Sequence, residues 1–399
     1  MKSAVRYSDP VRLAFVAATL ALLTRCAPPP PPPTPEPEPV PVGDLDIKGA
    51  AAHIVREFAE QFVAVAGTRI ITIDPMLDRA TGQQTGVTRI LEAEVGPAIA
   101  EHLPAATLVR FDGEGAAQAR YVVSGTVAAG GSAGRYTAHV SVTDRQTGLV
   151  VAQSSAPFVQ AGLDGSPTRF YSESPVLVRD RSTDGYVRTA ETTAGRAADS
   201  LYIAQLSTAA LLAEALAAFN AERWDEALTM YRAAAQRPDG QQLRTFNGVY
   251  LSSIKLRRAR DAEDAFGKIA ELGLATNNLS VKLLFRPGSA TEFWQGPEFS
   301  AVYPMWIRQI ARAAQTARSC LNVVGHTSRT GTEAVNDRLS VARAETVKRL
   351  LEAQVRALAP RLRASGVGYR ENVVGTGTDD ASDAPDRRVE FKVVDCPAR

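Results

Sequence analysis

The sequence predicts a multidomain α+β protein: an N-terminal α+β domain, a short helical-repeat segment, and a C-terminal βαβαββ domain with a mixed sheet. Three observations carry that prediction. Stretches 121–128, 135–143 and 149–153 are rich in valine and threonine, follow two stretches of helical spacing, and are separated by the turn sequences AGGSAG and DRQTG. From Ala197 to Leu274 the composition turns alanine-rich and helical. The remainder alternates strand-like and helical stretches around residues 323–344, which read as strand, loop and helix.

At 399 residues the chain is long enough for several domains of ~100–200 residues each. Its 45% hydrophobic residues can fill their cores. Lys+Arg 45 against Asp+Glu 43 gives +2, with no basic run, which argues against nucleic acid as a partner. No spacing of His, Cys and carboxylates suits a metal, and nothing points to a cofactor.

Residues 1–25 read as an export signal. Lys2, Arg6 and Arg12 precede the apolar run 13–23, which is too short to span as an ordinary transmembrane helix. Leu23-Thr24-Arg25-Cys26 resembles a bacterial lipobox, which implies lipidation at Cys26, although Arg25 stands where a small residue is usual. Ala27 lacks the aspartate that commonly retains lipoproteins in the inner membrane, so the resemblance implies an outer-membrane anchor facing the periplasm. Residues 26–43 follow as a proline-rich linker, extended at ~3.1 Å per residue to ~50 Å.

Residues 44–160 form the first domain. Ile54, Phe58 and Phe62, with Val55, Ala59 and Val63, mark a helix; 68–74 is a strand; Ile90, Leu91, Val95, Ile99 and Leu103 mark a second helix, with a kink expected at Gly96-Pro97. Helices on one face of the sheet are expected. The order of elements, closing with D..TG.VV at 144–151, faintly resembles the small domains of outer-membrane assembly and flagellar-associated lipoproteins, which implies a partner-binding role. Gly130-Gly131-Ser132-Ala133-Gly134 has the spacing of a serine nucleophile elbow, but strand-like sequence on both sides makes it a hairpin loop. No other catalytic constellation is present, and no enzyme is expected.

Residues 161–196 have no clear period and read as a connector packed on its neighbours. Phe170, Tyr171 and Tyr186 are its packing residues or an exposed recognition patch. Within 197–275, a flanking helix at 199–210 precedes EALAAFNAERWDEALTMYRAAAQRP, which resembles a tetratricopeptide unit. Ala227 and Tyr231 recur as Ala262 and Phe266 at a 35-residue offset, against a family period of about 34. Such helices imply a groove for a protein partner or a purely structural spacer.

Residues 276–399 form the last domain. Val281, Leu283 and Phe285 alternate as a first strand; a helix at 304–317, the strand–loop–helix, the stretches 358–367 and 369–374, and a closing strand at 388–394 follow. GHTSRTG at 325–331, then N..LS..RA, and a second block VVGTGTDDASDAPDRRVEFKV resemble the OmpA-like C-terminal domain of peptidoglycan-associated lipoproteins. The likeness covers about 278–395. In that family a loop aspartate and a helix arginine clamp the ammonium and carboxylate of diaminopimelate in the peptidoglycan stem peptide. The resemblance implies that Arg343 grips the carboxylate, with Ser328, Thr327 and Asn336 lining or bracing the pocket and Arg329 and Arg387 near it. Arg388 reads as a structural strand residue, and His326 as part of the structural turn. Ser328 stands in place of the loop aspartate, and a hydroxyl cannot neutralise an ammonium. Asp386, Asp379 or Asp380 is expected to supply the lost charge.

With Cys26 lipidated, Cys320 and Cys396 remain, either as a disulfide or as two free buried thiols. The expected function is an outer-membrane lipoprotein that tethers the membrane to peptidoglycan. The alternative is a periplasmic scaffold that binds protein partners through its helical repeats and N-terminal domain.

Overall fold

Helix α1 (Ile47–Phe62) forms where Ile47, Ala50, Ala51, Ile54, Val55, Phe58 and Phe62 recur at helical spacing, and all of these are buried. The computed structural model describes residues 45–62, 69–131, 134–286, 289–293, 302–378, 383 and 386–396, within the unit Val42–Arg399. The export signal, Cys26, the proline-rich linker, Asp379 and Asp380 lie outside the described residues. Among the described residues, no helix is long and apolar enough to cross a membrane.

Strands β1 (Arg69–Ile73) and β2 (Leu77–Asp78) lead to α2 (Gly86–His102), which begins at a reciprocal cap: Thr85 Oγ1 accepts from Thr88 N, and Thr88 Oγ1 accepts from Thr85 N. The helix runs through Pro97 and buries Leu91, Val95 and Ile99; Ile90, one residue off that stripe, faces outward. Strand β3 (Ala106–Val109), helix α3 (Gly113–Gln118) and strands β4 (Tyr121–Ala129), β5 (Arg135–Asp144) and β6 (Leu149–Val159) complete the domain. The strand order is β3-β1-β4-β5-β6, with β2 beside β4; β1 is parallel to β3 and β4, and β4, β5 and β6 are antiparallel. Ala129 pairs with Tyr136, so the glycine-rich loop does close a hairpin.

One face of this sheet packs Val123, Val127, Val140 and Val142 against α1 and α2. Helices were expected on one face alone, yet the other face is covered too, by the connector helix α5 (Arg181–Ala190) and by α6 (Ser200–Ala204), while α4 (Arg169–Glu173) packs on the helices that follow. That face is polar, and the connector meets part of its hydrogen-bonding demand, although the Thr126 and Thr143 hydroxyls are buried without a partner. Ser141 Oγ donates to the Thr189 carbonyl at 2.9 Å, and the Tyr186 hydroxyl accepts from Gly125 N at 2.8 Å. Phe170, Tyr171 and Tyr186 are buried packing residues.

The helix expected at 199–210 is broken at Gln205, where α7 (Leu206–Asn220) begins. Helices α8 (Trp224–Ala235), α9 (Leu243–Lys255) and α10 (Ala259–Ala275) then pack in succession. Ala227, Tyr231, Ala262 and Phe266 are all buried between them, and a Cβ on Gly248 would meet the Tyr231 ring at 2.3 Å.

The last part runs β7 (Leu279–Val281), α11 (Tyr303–Ala317), β8 (Cys320–Gly325), α12 (Glu333–Gln354), β9 (Leu362–Gly366) and β10 (Val389–Val394), a βαβαββ order. Its sheet is β7-β10-β8-β9, with β8 and β9 parallel and β10 antiparallel to both neighbours. The first strand is shorter than expected: Leu283 N turns back to the Val281 carbonyl at 2.9 Å, although Leu283 and Phe285 stay buried. Residues 369–374 are not a strand. Cys320 and Cys396 form a disulfide, which settles the open choice against free thiols. One continuous apolar core runs from α7 through α10 into α11, β8 and β10.

Candidate functional site

The candidate site is assembled from β8, the loop after it, and α12. Helix and sheet approach closely here, because a Cβ on Gly325 would lie 2.1 Å from the Ser340 carbonyl oxygen and one on Gly366 2.2 Å from Ser340 Oγ. Ser340 fits between these glycines, donating to the Asp337 carbonyl at 2.8 Å and accepting from Gly368 N at 3.0 Å. The glycine and serine of the sequence pattern are therefore packing residues that seat α12 on the sheet.

The loop is held from several sides. His326 N donates to the Arg388 carbonyl at 3.1 Å and Thr327 N to the Gly368 carbonyl at 2.9 Å. Asn336 Nδ2 donates to the Thr330 carbonyl at 2.7 Å and the Thr332 carbonyl at 3.1 Å, which pins the loop tip to the start of α12. Ser328 Oγ lies 3.4 Å from Thr330 Oγ1. Thr327, Ser328 and Asn336 are all buried.

Arg343 lies on the same buried face of α12 as Asn336, seven residues on, or ~10 Å along the helix axis. Its side chain is almost fully covered, at 5% exposure. Nε donates to the Ser289 carbonyl at 3.2 Å, and the guanidinium carbon sits 5.1 Å from the centre of the Phe285 ring. The strap that supplies both contacts is folded on itself: Phe285 bridges Phe293, and Ser289 Oγ accepts from Thr291 N and Glu292 N at 3.2 and 3.0 Å. A guanidinium braced in this way is a rigid fork suited to a carboxylate. This strap was not singled out in the sequence, where the Pro-Gly pair at 287–288 is a turn signal. A cleft of about 540 Å³ is lined by Arg286 and Phe293 of the strap with Tyr303, Ile307 and Leu350, and by no residue of the 326–329 loop.

Asp386 is fully buried, and its carboxylate accepts from Val373 N, Val374 N and Gly375 N at 2.6, 3.0 and 2.7 Å. This is why 373–375 curl into a loop instead of extending. Asp383, also buried, accepts from Thr376 N and Thr376 Oγ1 at 3.0 and 2.6 Å. Arg329 is exposed and Arg387 half-buried. Arg388 is buried and pairs with Glu390 at 2.7 Å, in keeping with a structural role.

His326, Glu371 and Glu390 offer ligand atoms within 4.8 Å of one another. Two cations already serve these carboxylates: Arg388 on Glu390, and Lys392 Nζ at 3.4 Å from both Glu371 Oε2 and Glu390 Oε2. A metal ion would have to displace a lysine and oppose an arginine. Burial holds the His326 imidazole below its usual value, with the Glu390 contact at 3.5 Å opposing it. Burial alone would raise the Glu390 carboxyl, but His326 and Arg388 together hold it well below the usual carboxylate range.

Residues 299–385 match the model of the OmpA family. The wall anchor of the T6SS from Pseudomonas aeruginosa is 29% identical, with 29% of this chain and 80% of that one aligned and a TM-score of 0.24. The peptidoglycan-associated lipoprotein from Burkholderia pseudomallei is 25% identical over 29% of this chain and 89% of that one, TM-score 0.24. The periplasmic domain of Helicobacter pylori MotB is 21% identical over 30% and 76%, TM-score 0.25. No curated protein matches the chain. With its βαβαββ order, its mixed sheet and the matched stretch between them, the C-terminal part of this chain is an OmpA-like domain.

Proposed function

We propose that this protein is a cell-envelope lipoprotein that holds peptidoglycan non-covalently through its OmpA-like domain, without catalysis. The supporting observation is the buried Arg343 guanidinium, fixed by Phe285 and the Ser289 carbonyl on the helix whose Asn336 pins the Ser328 loop. In this reading Arg343 takes a stem-peptide carboxylate, Thr327 and Ser328 contribute hydroxyls, Asn336 positions the loop, and Arg329 and Arg387 attract the anionic wall. Cys26 would carry the lipid, and 26–43 would space the folded part from the outer membrane on its periplasmic side.

Co-sedimentation of the folded chain with purified sacculi tests the proposal. Wild type is expected to pellet with the wall and Arg343→Ala to stay in solution; equal pelleting of both would remove Arg343 from the site. The domain boundaries at 44, 161, 197 and 276 are part of the same proposal, as is a periplasmic protein partner for the helical segment.

A further inference from the structure

We infer that the cleft where the connector, the helical segment and the OmpA-like sheet meet is a docking site for an extended peptide segment of a partner protein, one that carries an apolar side chain and a carboxylate. This goes beyond wall binding and does not depend on it.

The cleft measures about 500 Å³ and lies between residues 177–184, α6 and its C-cap, the start of α9, the end of α10, and strands β7 and β10. Clefts at the junction of separate parts of a chain are favoured ligand sites. Four side-chain amides on its wall, Gln205, Gln241, Asn277 and Asn278, are each held at one end by the protein. Gln205 Oε1 accepts from Ser182 Oγ at 2.6 Å, and Asn277 Oδ1 accepts from Val393 N at 2.7 Å. Gln241 Nε2 donates to the Ala235 carbonyl at 2.8 Å, and Asn278 Nδ2 donates to the Arg179 carbonyl. The other end of each amide has no partner among the described residues, and none of the four residues is buried. Two donors, Gln205 Nε2 and Asn277 Nδ2, and two acceptors, Gln241 Oε1 and Asn278 Oδ1, are therefore left over in one cleft.

Equal numbers of donors and acceptors are what a peptide backbone matches, since each of its residues brings one of each. Amides already fixed at one end have less freedom to lose when they bind. Most charges on the wall are spent inside the protein. Arg179 pairs with Asp184 at 2.9 Å, Glu390 with Arg388 at 2.7 Å, and Asp180 accepts from Ser182 N and Thr183 N at 3.1 Å. Arg181 is the exception: it is exposed and has no ion pair among the described residues, so it calls for a carboxylate on the peptide. Leu201, 37% exposed, lines the cleft with Leu177 and Leu272 and offers apolar contact to a side chain. No described residue of the lining is aromatic, so a sugar ring has no face to stack on, which favours peptide over glycan.

The test pans a random heptapeptide display library on the folded chain and measures the recovered peptides by fluorescence polarisation. Enriched peptides are expected to combine an acidic with an apolar residue, and to bind Arg181→Glu and Gln241→Leu at least 10-fold more weakly than wild type. Leu201→Arg, which puts a long side chain into the cleft, is expected to abolish binding. All three positions are exposed, so the fold tolerates the changes. No enrichment, or peptides that bind the variants as they bind wild type, overturns the inference. Binding of triacetylchitotriose that Leu201→Arg abolishes, without enriched peptides, assigns the cleft to glycan and overturns it too. None of these probes contains diaminopimelate, so the outcome is separate from the wall-binding reading.

Discussion

Trp306 of the OmpA-like domain stacks on Phe266 of the helical segment, with ring centroids 5.5 Å apart and planes at 9°, and its indole N–H donates to the Tyr250 hydroxyl at 2.9 Å. The contact lies inside a single apolar core shared by both parts. Helix α11 therefore has its partner surface on α10, and the domain is not an independent bead. Trp306→Ala is expected to cost about 3–5 kcal/mol by denaturant titration, with helical and OmpA-like parts losing structure in one transition. A fragment of 276–399 is expected to lack a cooperative transition, because it would expose Trp306, Ile307 and Ile310. Separate transitions in the full chain would show the two parts to be independent.

Asp386 gives a second prediction. Its carboxylate serves three backbone N–H groups, so Asp386→Ala leaves buried donors without partners and should cost about 1–3 kcal/mol, with Asp386→Asn intermediate. Amide exchange at Val373, Val374 and Gly375 should accelerate in both variants. Unchanged exchange would mean the loop is held by something else.

Two buried groups predict opposite pH dependences. Burial pushes Asp74 up to about 7 from 3.8, despite the opposing Arg244 charge and the Tyr202 hydrogen bond. Between those values the folded state binds the extra proton, so this group's contribution falls as pH rises from about 4 to 7. Burial pushes Lys282 down to about 7 from 10.5, its ammonium donating to the Tyr171 and Ser172 carbonyls at 2.9 and 3.3 Å. Here the unfolded state binds the extra proton, so the contribution rises with pH from about 7 to 10.5. Each amounts to at most about 5 kcal/mol. Stability against pH should lose its acid-side fall in Asp74→Asn and its alkaline-side rise in Lys282→Met; curves identical to wild type would contradict the account.

The disulfide closes a long loop, with 76 residues separating Cys320 from Cys396. Chain entropy puts its contribution at about 4 kcal/mol. Reduction, or Cys320→Ser with Cys396→Ser, should lower the denaturation midpoint by a matching amount. No change on reduction would show that the loop is already restrained when unfolded.

Much of this was legible in the sequence because local patterns decided it. The strands at 121–159 are rich in valine and threonine and broken by turn sequences, the α8 and α10 residues repeat, and Gly325 and Ser340 belong to a pattern imposed by close helix–sheet packing. What was missed depends on distant partners. Ser124, Thr126 and Ser141 look like a solvated face until the connector helix α5, itself without a clear apolar period, lies on them. β7 stops at Val281 because the chain turns there, while burial of Leu283 and Phe285 preserves the alternation that suggested a longer strand. The acidic charge of Asp386 was readable; its use by three backbone amides was not, since that needs the fold of a loop eleven or more residues earlier.

The most direct measurement of the central claim is calorimetric titration of a diaminopimelate muropeptide into the folded chain, beside Arg343→Ala. Saturable binding that Arg343→Ala weakens 10-fold or more is the result expected from a buried arginine gripping a carboxylate. Binding that is unchanged in Arg343→Ala, or absent from wild type, would contradict it.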